Sequence, residues 1–149
     1  MDRMARSLIL PLILVVLAGC SEPFIVFAGG ELSGHEQTPP DDWSQLESEE
    51  LFQLETRPND PYSVNIWAVG IGEDAYIGTG PDGTNWSSYI QDDPRVRLRV
   101  GETLYPLLAH PVTEREERRR VALAYAEKYG MDPDENWLKD ALVFRLDRR

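Results

Sequence analysis

Cysteine and histidine are the scarcest of the chemically useful residues in this chain: there is one cysteine, Cys20, and two histidines, His35 and His110. A lone cysteine excludes an internal disulfide. With no histidine or cysteine pair at metal-ligand spacing, no zinc-type centre is spelled out and no metal is expected. There is no phosphate-binding loop with its lysine and no nucleophile elbow, so nucleotide hydrolysis and serine-hydrolase chemistry find no support. Long apolar runs are missing too. The longest, Leu8 to Ala18, would make a helix only ~16 Å long, too short for a ~30 Å bilayer core. Basic residues are in deficit, 15 against 26 acidic ones, for a net charge of −11. Such a surface repels nucleic acid and anionic headgroups, so no nucleic-acid partner is expected.

The chain opens with Arg3 and Arg6, then the short apolar run interrupted by Pro11, then Leu17-Ala18-Gly19-Cys20. A charged start, a short apolar stretch and small residues before a potential cleavage point make an export signal. The last four residues resemble the lipobox of bacterial lipoprotein precursors. That resemblance implies a signal peptide over residues 1–19 and acylation of Cys20 by diacylglycerol and a palmitate-type chain. Two or three acyl chains, each buried methylene contributing ~0.8 kcal/mol, hold a protein firmly to a membrane. Ser21 in place of an aspartate implies, by the same resemblance, the outer membrane of the cell envelope, with the protein facing the periplasm.

Residues 20–42 read as a lipidated tether rich in glycine, proline and acidic residues. Within it, Phe24-Ile-Val-Phe27 is β-prone, and either lies among lipid headgroups or docks as an edge strand. Residues 43–149 read as one domain. Leu51 to Arg57 predicts a strand ending at the turn signal Pro58-Asn-Asp-Pro61. Tyr62 to Val69 alternates as a strand, with Val64, Ile66 and Ala68 on one face and Ser63, Asn65, Trp67 and Val69 on the other. A hairpin over Gly70 to Asp74 leads into Ala75 to Gly78. The loop Thr79-Gly-Pro-Asp-Gly-Thr-Asn85 ends with Asn85 placed to cap a short helix over Trp86 to Gln91.

Arg95-Val-Arg-Leu-Arg-Val100 alternates strictly, with the valines and leucine inward and the arginines outward. Gly101-Glu102 turns the chain into a return strand over Thr103 to Val112, where Pro106 predicts an edge position or a bulge. Thr113 to Tyr129 predicts the one long helix, capped by Thr113 and stopped by Gly130. A short helix around Asp134 to Lys139 precedes a last strand over Ala141 to Asp147. The fold class is α+β: a small antiparallel barrel of about six strands with one long late helix.

The order of these elements resembles that of flavin-binding split β-barrel proteins, in the branch of the deazaflavin-dependent nitroreductase-like proteins. The likeness is carried by Thr79 to Trp86, Tyr89-Ile90, Asp93-Pro-Arg-Val-Arg-Leu-Arg-Val100, Tyr105 and the late helix ending Ala126-Glu-Lys-Tyr-Gly130. It implies FMN or a deazaflavin as cofactor and a homodimer as the working unit. Gly80, Gly83, Thr84 and Asn85 precede the helix that begins near Trp86, where backbone N–H groups can approach a phosphate. Asn65 and Trp67, and Tyr76 beside them, are placed to face the ring. Asp82 leaves that loop without a basic residue, a role open to Arg57, Arg95 or Arg97.

Simpler readings stand beside these. The loop has ordinary turn chemistry, tryptophans usually anchor cores, and three alternate arginines usually form a solvated strand face. Two functions follow. The first is a membrane-anchored binding module or scaffold of the envelope, since a flavin enzyme folded in the cytoplasm does not cross the general secretion channel with cofactor bound. The second is a flavin-dependent reductase, the cofactor carrying the electrons. The scarcity of catalytic side chains puts the scaffold first.

Overall fold

The structure is a computed structural model, and it describes residues 29–132 and 139–149. The expected export signal and lipobox with Cys20, the Phe24 to Phe27 run and residues 134–138 of the expected short helix lie outside the described residues.

Among the described residues eight strands form one curled, mainly antiparallel sheet, against about six expected: β1 (His35–Glu36), β2 (Phe52–Thr56), β3 (Tyr62–Ile66), β4 (Ala68–Ile71), β5 (Asp74–Thr79), β6 (Arg95–Val100), β7 (Thr103–Pro111) and β8 (Leu142–Arg148). The hydrogen-bonded order is β3-β2-β6-β7-β8-β5-β4, with β1 pairing β7 in parallel off that path. Helix α1 (Asn85–Asp92) connects β5 to β6, and α2 (Arg115–Tyr129) connects β7 to β8.

The single strand expected over Tyr62 to Val69 is two strands. Residues 62–66 pair with β2, and residues 68–71 pair with β5, so Trp67 stands where the chain changes partners. That change carries β3 and β4 to opposite ends of the strand order and curls the sheet. Side chains on the concave face form the main core: Phe52, Leu54, Val64, Ile66, Ile77, Leu98, Leu107, Phe144 and Leu146 among others. On the convex side α2 packs Val121 and Tyr125 against Val69, Tyr76 and Val143.

Pro106 lies in a central strand rather than at an edge. Toward β6 it stands opposite Arg97. On its other side β1 pairing ends at Leu104, and β8 pairing begins at Leu107. The missing N–H therefore falls in a gap between two neighbours and breaks no ladder.

The helix starts are also shifted. Thr84, not Asn85, is the N-cap of α1: its N–H donates to Ser87 Oγ (2.9 Å), whose hydroxyl donates back to the Thr84 carbonyl. Glu114, not Thr113, caps α2 by accepting from the Glu117 N–H (2.7 Å). Gly130 closes α2 in the left-handed conformation, as its position predicts.

Residues 29–42, read as part of a flexible tether, strap the barrel. Gly29 and Ser63 exchange both backbone hydrogen bonds (2.8 and 2.9 Å). Leu32 is buried, and its N–H donates to Glu55 Oε2 (2.6 Å). His35 and Gln37 then bond the carbonyls of Glu102 and Leu104, and Arg148 holds those of Pro39 and Pro40. Trp43, 1% exposed, ends the strap in the core.

Candidate functional site

Strand alternation puts Leu51, Gln53, Glu55, Asn65, Arg97 and Arg99 on the convex face of β3-β2-β6. Two covers lie on the convex side. The strap closes over Glu55 and Arg97, whose charges meet in a two-point pair: Arg97 Nε to Glu55 Oε1 at 2.8 Å and Nη2 to Oε2 at 2.7 Å. Helix α2 covers the sheet at β4, β5 and β8. Between them is a hollow of about 270 Å³ lined by Glu49, Leu51, Phe52, Gln53, Asn65, Arg99 and Gly101.

One row of this strip is set by register. Asn65 stands opposite Gln53, and Gln53 stands opposite Arg99, so three polar side chains cross three strands side by side. Leu51 precedes β2 and is 47% exposed; Trp67 follows β3 and is 37% exposed. The Phe52–Ile66 pair brings those two neighbours to the same end of the β2–β3 ladder. Trp67 is not loose. Its ring stacks on Tyr129 of α2 with centroids 4.6 Å apart and planes 13° from parallel, and its carbonyl accepts from Tyr125 Oη (3.0 Å). Tyr129 Oη bonds both polar groups of the Ala68 backbone and the Glu50 carbonyl. Burial holds the Tyr129 phenol up to about 12, well above an ordinary tyrosine.

The residues expected to face a flavin are thus separated. Asn65 and Trp67 lie at the open strip. Trp86 does not: it is 6% exposed and meets Phe144 edge to face inside the barrel (5.8 Å). Tyr76 is also buried, beneath α2, and donates to Glu117 Oε1 (3.0 Å), so it faces no ring. Arg95 is committed to Asp93, reaching both carboxylate oxygens (2.6 Å at the shortest), and Arg57 pairs with Asp60 while lying over Tyr89. Neither covers the loop.

The loop itself fits a phosphate poorly. Gly80 is open, but a Cβ placed on Gly83 would meet Ser87 Oγ at 3.1 Å and Leu142 Cδ1 at 3.4 Å, so the protein's own atoms fill that space. Thr84 is spent on the cap, and Asn85 is an exposed first-turn residue. The strip fits a ring-bearing cofactor better, having an exposed aromatic face, an aliphatic neighbour, the Asn65 amide and the amide nitrogen of Gln53, whose oxygen accepts from Arg99. Nothing in the sequence singles out Leu51, Gln53 and Arg99 as site residues. The alternation of Arg95 to Val100 shows Arg99 pointing outward, but which arginine stays uncovered depends on where the strap crosses.

No family model matches this chain, and no curated protein does. Solved structures do share its fold. An F420-H2-dependent reductase is 15% identical with a TM-score of 0.56, covering 78% of this chain and 100% of that one. A FAD-binding protein from Mesorhizobium loti is 11% identical with a TM-score of 0.53, over 70% of this chain and 84% of the other. A chain solved as a domain-swapped dimer is 16% identical with a TM-score of 0.56, over 66% and 81%. What these likenesses show in common is the fold, a split β-barrel.

Proposed function

We propose that this chain is a flavin- or deazaflavin-dependent reductase domain, working as a homodimer and displayed in the bacterial envelope by acyl chains on Cys20. The observation that carries the reading is the match over the whole length of an F420-H2-dependent reductase, in a chain whose strip leaves Asn65 and Trp67 open. It reverses the order of functions expected from composition. When bound, the cofactor supplies the electron-carrying ring. The protein's part is orientation: Trp67, fixed by its stack on Tyr129, offers a rigid flat face, and the Asn65 amide offers a donor and an acceptor at the ring's edge.

The loop favours the other reading. With Asp82 in it, Gly83 packed and Trp86 buried, the segment expected to cradle a phosphate is structural, as a scaffold of the envelope would have it. Titration of the purified full-length protein with FMN and with F420 decides. Saturable micromolar binding of either supports the reductase, and binding of neither returns the scaffold to first place. Separately, palmitate labelling that disappears in Cys20→Ala supports the anchor; labelling unchanged in that variant removes it.

A further inference from the structure

Five arginines stand on the strands of the sheet: 95, 97 and 99 on β6, 145 and 148 on β8. Four of them meet a carboxylate: Arg95 with Asp93 (2.6 Å), Arg97 with Glu55 (2.7 Å), Arg145 with Asp147 (2.6 Å) and Glu117 (2.9 Å), and Arg148 with Asp41 (2.7 Å). Arg99 is the exception. Its guanidinium donates to two neutral oxygens, the Gly101 carbonyl (2.9 Å) and Gln53 Oε1 (3.1 Å). Among the described residues no carboxylate lies within ion-pair distance of it. In a chain of net charge −11, a strand arginine without an acidic partner is a cation left for something else.

Its surroundings are arranged for an anion. A guanidinium has five N–H groups, and the two neutral contacts leave others to donate. Because Gln53 Oε1 accepts from Arg99, the amide nitrogen of Gln53 is the end left to donate. The Asn65 amide lies next across the ladder. All three line the same open hollow, with exposed Leu51 at its side and Trp67 beyond. We propose that this strip binds a ligand carrying one phosphate or carboxylate and a planar apolar part, with Arg99 holding the anion, Gln53 and Asn65 assisting, and Leu51 and Trp67 under the ring. The forked guanidinium matches both oxyanions. Glu49 on the rim opposes additional negative charge, which selects for a single anionic group over a polyphosphate.

The reductase reading enters only in the identity of the ligand: if it holds, the anion is the phosphate of the flavin. The test measures calorimetric affinities of the full-length protein for FMN, for riboflavin, which has the same ring without the phosphate, and for benzoate, an aromatic carboxylate unrelated to flavin. FMN is expected to bind about 10-fold or more tightly than riboflavin. Arg99→Gln removes that preference, Arg99→Lys restores part of it, and unchanged melting curves show that both variants fold. Should neither flavin bind while benzoate binds in an Arg99-dependent way, the anion site stands and FMN falls as the cofactor, F420 being left to the titration above. Should FMN and riboflavin bind alike, the site is overturned while the cofactor reading survives. Loss of no affinity in Arg99→Gln, or binding of none of the three probes, also overturns it.

Discussion

Arg97 and Glu55 meet side on beneath the strap, and the same carboxylate accepts the Leu32 N–H while the same guanidinium donates to the Leu32 carbonyl (3.2 Å). The ion pair therefore fastens the strap at one residue by both of its backbone polar groups. Glu55 is 3% exposed, so its removal strands a cation in a largely dry place. Glu55→Ala is expected to lower stability by about 3 kcal/mol, the low end for a broken buried pair because Arg97 keeps Glu31 and Glu36 nearby. Urea denaturation measures the loss, and faster hydrogen exchange at the Leu32 amide would show the strap lifting.

Variants at Trp67 and Trp86 test the proposed ligand binding apart from folding. Trp86→Ala empties a core position beside Phe144 and is expected to cost about 3–5 kcal/mol. Trp67→Ala loses one exposed stack on Tyr129, about 1 kcal/mol. FMN or F420 affinity measured on the folded fraction should fall in Trp67→Ala and hold in Trp86→Ala. The opposite pattern would move the ligand to the loop before α1.

Alkaline pH tests the seat of Tyr129. Its phenol is raised to about 12 chiefly by burial, with Glu47 and Glu50 adding to the effect against the Ala68 hydrogen bond. The folded state therefore holds a proton that the unfolded state releases near pH ~10. Stability contributed by this group is complete below that pH and is lost as pH rises through about 12. Stability curves across this window should slope downward, less steeply in Tyr129→Phe. Burial also raises Tyr76 and Tyr125 further still, so a remaining slope in the variant is expected.

Gly70 in β4 is required by close approach. A methyl group there would fall on the carbonyl and Cβ of Trp43. Gly70→Ala should displace that tryptophan from the core and cost about 1–3 kcal/mol, measurable as a lower melting temperature. Gly80, which has open space around its Cβ position, should accept alanine with little change.

What could be read along the chain was what depends on near neighbours. Arg95 to Val100 alternates and is β6, Gly101-Glu102 turns the hairpin, and Gly130 ends α2. The errors arise where distant partners decide. Trp67 looks like one more alternating residue until β2 and β5 claim the residues on either side of it. Pro106 looks like an edge marker until β1 and β8 are seen to stop short of it. The polar strap shows few apolar residues, and its attachment through backbone groups to Ser63, Glu55 and Leu104 leaves no pattern to find. The site suffers most, because the partner of an outward arginine is chosen across strands.

The reciprocal backbone pair of Gly29 and Ser63 has a geometric consequence for an acylated Cys20. Nine residue steps separate Cys20 from Gly29. At ~3.3–3.6 Å per residue they span at most about 30 Å even when drawn straight. Were Cys20 acylated as proposed, a domain on so short a leash would not range through the envelope. It would stay within about its own diameter of the bilayer, with the β3 edge as its point of suspension, and would meet whatever is dissolved in, or stands on, that membrane.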